Sequence, residues 1–293
     1  MKTFVILDSN ALMHRSYHAL PPLKTKKGQV VNAVYGFAAV LIKILRELKP
    51  DYIAATFDLG GPTFRDEKFK DYKAKRKKPA QEFYDQIDLV KEAVSAFQIP
   101  IYQKQGYEAD DLIGTLVAQS EKKTKDTVNI IITGDLDTLQ LVSKKTKVYF
   151  LKGGIKEAKI YDKKAVYQRY CLEPNQMVDF KALRGDPSDN IPGVKGIGQK
   201  TAVDLLQRFG SLGKIYKEIE SADLNPKIRA RLLEYKEQAF LSQYLAAIRK
   251  DAPVELDLAA CAKYQPNSPK AIELFEKLEF HSLVNRLSRK NIV

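Results

Sequence analysis

The chain has 293 residues, 44% of them hydrophobic and 29% charged, which excludes a disordered tail and leaves room for one large or two modest soluble units. Lys and Arg number 49 against 36 acids, a net charge of +13, which points to a polyanionic partner such as nucleic acid against the alternative of a merely basic surface. Cys171 and Cys261 stand far apart with no ligand-spaced Cys or His, the start MKTFVILD turns polar too soon for a signal peptide, and the apolar run at 34–45 is broken by Lys43, so zinc, a disulfide framework and a membrane span are set aside and a cytoplasmic protein is expected.

In chain order, Thr3 to Leu7 is a short apolar run of buried-strand type that ends on Asp8, and Asp8-Ser9-Asn10 is either a turn or an N-cap. Val31 to Leu48 has helical spacing and stops before Pro50. Tyr52 to Phe57 is a second buried strand that also ends on an acid, Asp58. Lys68 to Lys78 (KFKDYKAKRKK) is dominated by Lys and Arg with interleaved Phe69 and Tyr72. A charge run is usually a solvated face, but with Arg65 beside it and α/β elements on both sides this one favours a phosphate-binding insertion.

Phe83 to Phe97 resumes helical periodicity, and Ile99 to Tyr102 reads as a short strand. Next comes Gly106-Tyr107-Glu108-Ala109-Asp110-Asp111, three carboxylates at the mouth of a helix whose apolar positions are Leu112, Ile113, Leu116 and Val117. Acids at a helix start are often there only to match the dipole. Val128 to Thr133 is the clearest strand and runs into Gly134-Asp135-Leu136-Asp137, while Lys147–Leu151 and Lys159–Tyr161 form a hairpin across Gly153-Gly154.

After about residue 175 the pattern is helical, with helices through Tyr244 and again from Lys270 to Leu287. Gly185-Asp186-Pro187-Ser188-Asp189-Asn190 adds two acids, and a glycine segment, Gly193-x-x-Gly196-x-Gly198, opens a helix over Leu205, Leu206 and Phe209. No strand precedes those glycines, so they are no dinucleotide fingerprint. They are a phosphate nest flanked by Lys195 and Lys200, or a plain helical corner.

Asp8, Asp58, Glu108, Asp110, Asp111, Asp135, Asp137, Asp186 and Asp189 all stand at strand ends or loop mouths, and in a parallel sheet such ends share one crevice. Carboxylates within about 4–6 Å of each other need raised pKa values or cations. Oxygen-only ligands suit Mg2+ or Mn2+, and two ions about 3.5–4 Å apart suit phosphodiester hydrolysis. The three histidines stand beside no Ser or Cys nucleophile motif, and His14 and His18 are expected to be packing residues.

Taken together, Leu7-Asp8, Ala33 to Phe37, Phe57-Asp58, Phe64-Arg65, Tyr72 to Arg76, Gly106 to Asp111, Gly134 to Asp137, Gly185 to Asn190 and Gly193 to Gly198 occur in the order found in one family. From Phe4 to about Leu287 the chain resembles the 5′ nuclease domain of bacterial DNA polymerase I, within the flap endonuclease family. The resemblance implies an α/β fold with a PIN-like mixed, mostly parallel sheet flanked by helices. It adds a helical arch over about 64–97 and a C-terminal helix–three-turn–helix DNA-binding region, with a nuclease core over 1–175, a helical region over 176–293 and C-terminal helices packing back on the core.

By the same resemblance, Asp8, Asp58, Glu108, Asp110 and Asp111 would gather around one metal, and Asp135, Asp137, Asp186 and Asp189 would serve a second. Lys73 and Arg76 would be catalytic, near the scissile phosphate. Arg65, Tyr72, Lys73, Arg76, Gly193, Lys195, Gly196, Gly198, Lys200 and Thr201 would contact DNA, with a monovalent cation such as K+ often bound at 193–201. Ser9 stands where relatives often carry Gly, and Leu136 where many carry Lys; neither change removes a ligand. The expected enzyme is a monomeric 5′→3′ exonuclease and flap endonuclease acting on DNA with 5′ flaps, nicks or RNA primers, standalone or the amino-terminal part of a longer polymerase. The competing readings are a non-catalytic flap- or junction-binding module and a PIN-like ribonuclease; the complete acid set opposes the first, and the basic insertion and glycine hairpin oppose the second.

Overall fold

Strand β1 (Lys2–Asp8) sends Val5 and Leu7 into one apolar core and Phe4 and Ile6 into another, so it must lie at the centre of a sheet covered on both faces. A computed structural model describes residues 1–76, 78–152, 157–221 and 223–288. With β2 (Tyr52–Thr56), β3 (Ile101–Tyr102), β4 (Thr127–Thr133), β5 (Thr146–Lys152) and β6 (Glu157–Tyr161), β1 forms a six-stranded sheet in the order β3-β2-β1-β4-β5-β6. Every pairing is parallel except β5 with β6. The turn assigned to Gly153-Gly154 lies outside the described residues.

One face of the sheet carries α1 (Ser9–Ala19), α2 (Asn32–Leu48) and, after the short α3 (Phe64–Lys68) and α4 (Gln81–Tyr84), α5 (Ile87–Ala96). The other face carries α6 (Ala109–Lys123) and α7 (Lys163–Tyr170). The helical region follows as α8 (Met177–Arg184), α9 (Gln199–Phe209), α10 (Leu212–Lys217), α11 (Pro226–Glu234), α12 (Lys236–Ala246) and α13 (Leu258–Cys261). Finally α14 (Pro269–Lys277) and α15 (His281–Ser288) return to the first face, where Phe275 meets Phe97 at 6.1 Å between ring centroids and Phe280 meets Tyr35 at 5.2 Å. No described helix is long and apolar enough to cross a membrane.

Three stretches are divided more finely than their sequence pattern indicates. The run from Phe83 to Phe97 is two helices joined by Asp85 and Gln86, both still in the right-handed helical region, and the Gln86 amide oxygen accepts the Ala33 N–H at 2.8 Å at the start of α2, which lacks a side-chain cap of its own. The run from Lys270 to Leu287 breaks at Glu279, whose φ is +61°. Within the segment 64–97, α3, α4 and α5 are helical and residues 69–76 between α3 and α4 form successive turns, with Lys73 at φ +54° and its N–H on the Asp189 carbonyl at 2.9 Å.

The connection into α13 passes so close to α6 that only glycine fits at 114. A Cβ there would stand 2.4 Å from the Arg249 carbonyl oxygen and 2.6 Å from Ile248 Cγ2. Gly114→Ala is therefore expected to destabilise by about 1–3 kcal/mol through overpacking. Helix propensity alone favours Ala by about 1 kcal/mol, so a thermal melt in which the variant matches or exceeds wild type would refute the close approach.

Candidate metal and nucleic-acid site

The sheet order reverses between β1 and β4, and parallel strands there deliver their carboxyl ends to one crevice. Asp8 ends β1 and caps α1, taking the Ala11 N–H at 3.1 Å on one oxygen and the Thr133 hydroxyl of β4 at 2.5 Å on the other. Burial pushes its carboxyl up to about 6. Thr133 also receives the Asp135 N–H at 2.9 Å, so one hydroxyl ties the ends of both central strands. Burial, with Asp137 adding its charge, holds Asp135 up at about 7. Asp58, exposed after β2, accepts the Ala109 N–H at 2.6 Å, which docks the start of α6 on the strand ends. Asp110 in that first turn is raised well above the carboxylate range by burial and by Asp8, Asp135, Asp137 and Glu108 around it.

The chain's own cations surround these acids. Lys73 Nζ stands 2.7 Å from Glu108 and 4.0 Å from Asp189, and Arg76 3.6 Å from Asp189. Lys181, in the last turn of α8, bridges Asp137 and, at 2.6 Å, Asp186. Burial opposes ionisation of Asp186, but Lys181 and the Ser188 hydroxyl and N–H outweigh it and hold that carboxyl at about 2. Lys181 was not among the expected site residues, and no spacing rule marks it: its role depends on α8 lying against the loop after β4.

Four expected site residues sit differently from the sequence reading. Asp111 is fully buried, its oxygens taken by Arg65 at 2.7 and 2.8 Å, by the Arg249 N–H at 2.8 Å and by the Glu108 N–H at 3.1 Å, so it is an ion-pair partner and capping residue rather than a crevice ligand. Arg65 is only 2% exposed and also donates to the Leu245 and Ala247 carbonyls, which leaves it no face for DNA. Tyr72 is 5% exposed, with its hydroxyl on Glu108 at 3.2 Å. Gly193 is buried against Gly185, and its N–H is spent on the Ser242 hydroxyl at 3.0 Å. By contrast Lys195, Gly196, Gly198 and Lys200 are exposed and Thr201 partly so, with Gly198 as the N-cap of α9. The first-turn N–H groups of α9 receive no side-chain cap from it. His14 and His18 pack their rings 4.5 Å apart, with His14 against Phe83.

The donor set fits a hard divalent cation. It is all oxygen, and the buried carboxylate of Asp8 and the partly buried ones of Asp110 and Asp135 raise each other's affinity for positive charge. Among the described residues no three carboxylates already stand as a closed cluster around a single point. In the hairpin at 193–198 the Gly193 carbonyl accepts from Gln238 at 2.5 Å and the Gly196 carbonyl from the Arg231 guanidinium at 2.8 Å.

Residues 3–171 match the family described as 5′-3′ exonuclease, N-terminal resolvase-like domain, and residues 172–269 match 5′-3′ exonuclease, C-terminal SAM fold. The chain is 42% identical over 286 residues to DNA polymerase I of Bacillus caldotenax, covering 98% of this chain and 32% of that protein. It thus spans about a third of the length of the curated relatives it matches. Among solved structures, the bacteriophage T5 D15 flap endonuclease in a pseudo-enzyme-product complex with DNA and metal ions shares the fold at a TM-score of 0.69 and 18% identity, covering 99% of this chain and 98% of that one. The catalytic core of Rad2 in complex with DNA substrate does so at 0.60 and 16%, covering 98% and 91%.

Proposed function

The chain belongs to the 5′-3′ exonuclease family, a family of phosphodiester hydrolases, and from that premise we propose that it is a Mg2+- or Mn2+-dependent, structure-selective 5′ nuclease acting in the cytoplasm on DNA with 5′ flaps, nicks or RNA-primed 5′ ends. The observation that carries the reading is the convergence of Asp8, Asp110 and Asp135 at the switch point of the sheet, under Lys73 and Arg76. Asp8, Asp58, Glu108 and Asp110 would hold one divalent ion, and Asp135, Asp137, Asp186 and Asp189 the other. Such a pair supplies an activated water and charge for the leaving oxygen. Lys73 and Arg76 present their charges to the scissile phosphate from the rim, Thr133 sets the spacing of Asp8 and Asp135, and Lys181 keeps Asp137 and Asp186 together. The exposed Lys195, Gly198, Lys200 and Thr201 hold the duplex backbone through N–H and ammonium contacts.

The core over about 1–175 then cuts and the helical region after it binds, as a monomer and, in a longer polymerase, as the amino-terminal part. A labelled 5′-flap duplex should be cut with Mg2+ and left intact with EDTA. Asp135→Asn should keep flap binding and lose cleavage by about two to three orders of magnitude. Equal product with and without metal, or none in either, refutes the reading; so does undiminished turnover by Asp135→Asn.

A further inference from the structure

The end of α12 and the residues after it, 245–249, line the acid crevice, where Ala246 and Ile248 share a cavity with Asp110 and Asp137. Successive backbone groups of this strap are taken by side chains from two sides in turn. The Leu245 carbonyl accepts from Arg65 at 2.9 Å, the Ala246 carbonyl from the Gln140 amide at 3.1 Å and the Ala247 carbonyl from Arg65 at 2.8 Å. The Ile248 N–H then donates to the Gln140 side-chain oxygen at 2.9 Å, and the Arg249 N–H to Asp111 at 2.8 Å. Arg65 and Asp111 form the ion pair at the first turn of α6, beside Glu108 and Asp110. Gln140 lies in the short helical turn Asp137–Leu141, and its amide nitrogen also donates to the carbonyl of Asp137 itself at 3.1 Å. Neighbouring N–H groups of one strap therefore reach the two halves of the acid site, one each.

We propose that Gln140 is a positioning residue that fixes how far apart the two groups of acids stand, by tying Asp137 to the strap from which Asp111 already hangs. Lys181 holds the carboxylate of Asp137, and Gln140 holds its backbone. On the other side Asp111 accepts the Glu108 N–H at 3.1 Å, which carries the position of the strap into the turn that presents Glu108 and Asp110. The side-chain amide of Gln140 suits this task because it donates and accepts at once. A carboxylate could take the Ile248 N–H but has nothing to give the two carbonyls. The plainer role for Gln140 is to close the end of α12, whose last carbonyls have no partner within the helix.

The inference rests on the reading of the crevice as a two-ion site, and the experiment separates the two. Mn2+ is titrated into the full chain by calorimetry without DNA, and turnover of a labelled 5′-flap duplex is followed against Mg2+ and against substrate concentration. Losing the outer partner of a metal-binding group costs about 10–100-fold in metal affinity or activity. Gln140→Ala should therefore bind Mn2+ about tenfold more weakly, need about tenfold more Mg2+ for half-maximal turnover, and lose about tenfold in kcat at a KM within about twofold of wild type. A helix-end cap alone would lower the melting temperature and the fraction of active protein, and would leave both metal midpoints in place. Gln140→Met keeps the length of the side chain, opens no cavity and removes the same hydrogen bonds, so it should give the same shifts. Metal midpoints equal to wild type in either folded variant overturn the proposal, as does a KM that rises at unchanged kcat. If wild type cuts the flap equally in Mg2+ and EDTA, or in neither, the two-ion reading falls and this inference with it. If wild type cuts in Mg2+ alone and the variants share its midpoints, the inference alone falls.

Discussion

Asp110→Asn is expected to make the metal-free protein more stable while abolishing cleavage. Asp110 is partly buried, and desolvation together with the charges of Asp8, Asp135, Asp137 and Glu108 raises its carboxyl well above the ordinary range. An amide of the same shape removes the repulsion without opening a cavity. The pH dependence carries the same sign. Carboxylates whose folded values are raised, Asp8 to about 6 and Asp135 to about 7 from 3.8, keep protons in the fold that the unfolded chain has already released. Stability is therefore fully present below about pH 4 and is lost as pH rises through 6 and 7. In EDTA the wild-type melting temperature should fall between pH 5 and pH 8, and Mg2+ should restore it. At pH 8 in EDTA, Asp110→Asn should melt about 5 °C higher than wild type, since 1–2 kcal/mol of relieved repulsion is worth about that at this chain length. Its cleavage of a flap should fall by about three orders of magnitude. A variant that melts lower at pH 8 in EDTA refutes the repulsion; one that still cuts refutes the role.

That trade of stability for chemistry also explains what the sequence revealed. The strand ends were legible because apolar runs such as Thr3–Leu7 and Val128–Thr133 are followed within two residues by acids, and parallel pairing sends such ends to one edge. The switch point itself needed the sheet order, which no single run encodes.

What stayed hidden depends on long-range partners. Glu108 and Asp111 share the spacing of a capping box, a pattern that cannot say which of three adjacent acids turns inward; the answer comes from Arg65, on a helix more than forty residues earlier. Gln86, between α4 and α5, spends its side-chain oxygen on Ala33 and Val34 at the start of α2, about fifty residues earlier in the chain. Lys181 and Arg231 look in sequence like any basic residue on a helix, and acquire roles through the loop after β4 and the glycine hairpin. The basic run was legible as a cationic insertion, but its turns are set by Lys73 and Tyr72 reaching Glu108, not by local propensity.

Arg65→Ala is expected to cost stability on the order of 3–5 kcal/mol, because it leaves the carboxylate of Asp111 buried without its partner. Arg65 binds Asp111 through two nitrogens and adds the carbonyls of Leu245 and Ala247, so its loss also strands two acceptors at the end of α12. At this chain length the melting temperature should drop by about 10 °C. Asp111 receives the Glu108 N–H and the Arg249 N–H, so disorder there would reach the first turn of α6 and the placement of Asp110. Cleavage should fall as a consequence. The double substitution Arg65→Ala, Asp111→Ala should recover part of the lost stability, since no uncompensated charge is left inside. A DNA contact would behave in the opposite way: Arg65→Ala would keep the wild-type urea midpoint and lower the slope of log affinity against log salt by about 0.9. That outcome would return Arg65 to the nucleic-acid face and detach the start of α6 from the ion pair that now anchors it. The buried setting of Arg65, with five side-chain hydrogen bonds, makes the first result the expected one.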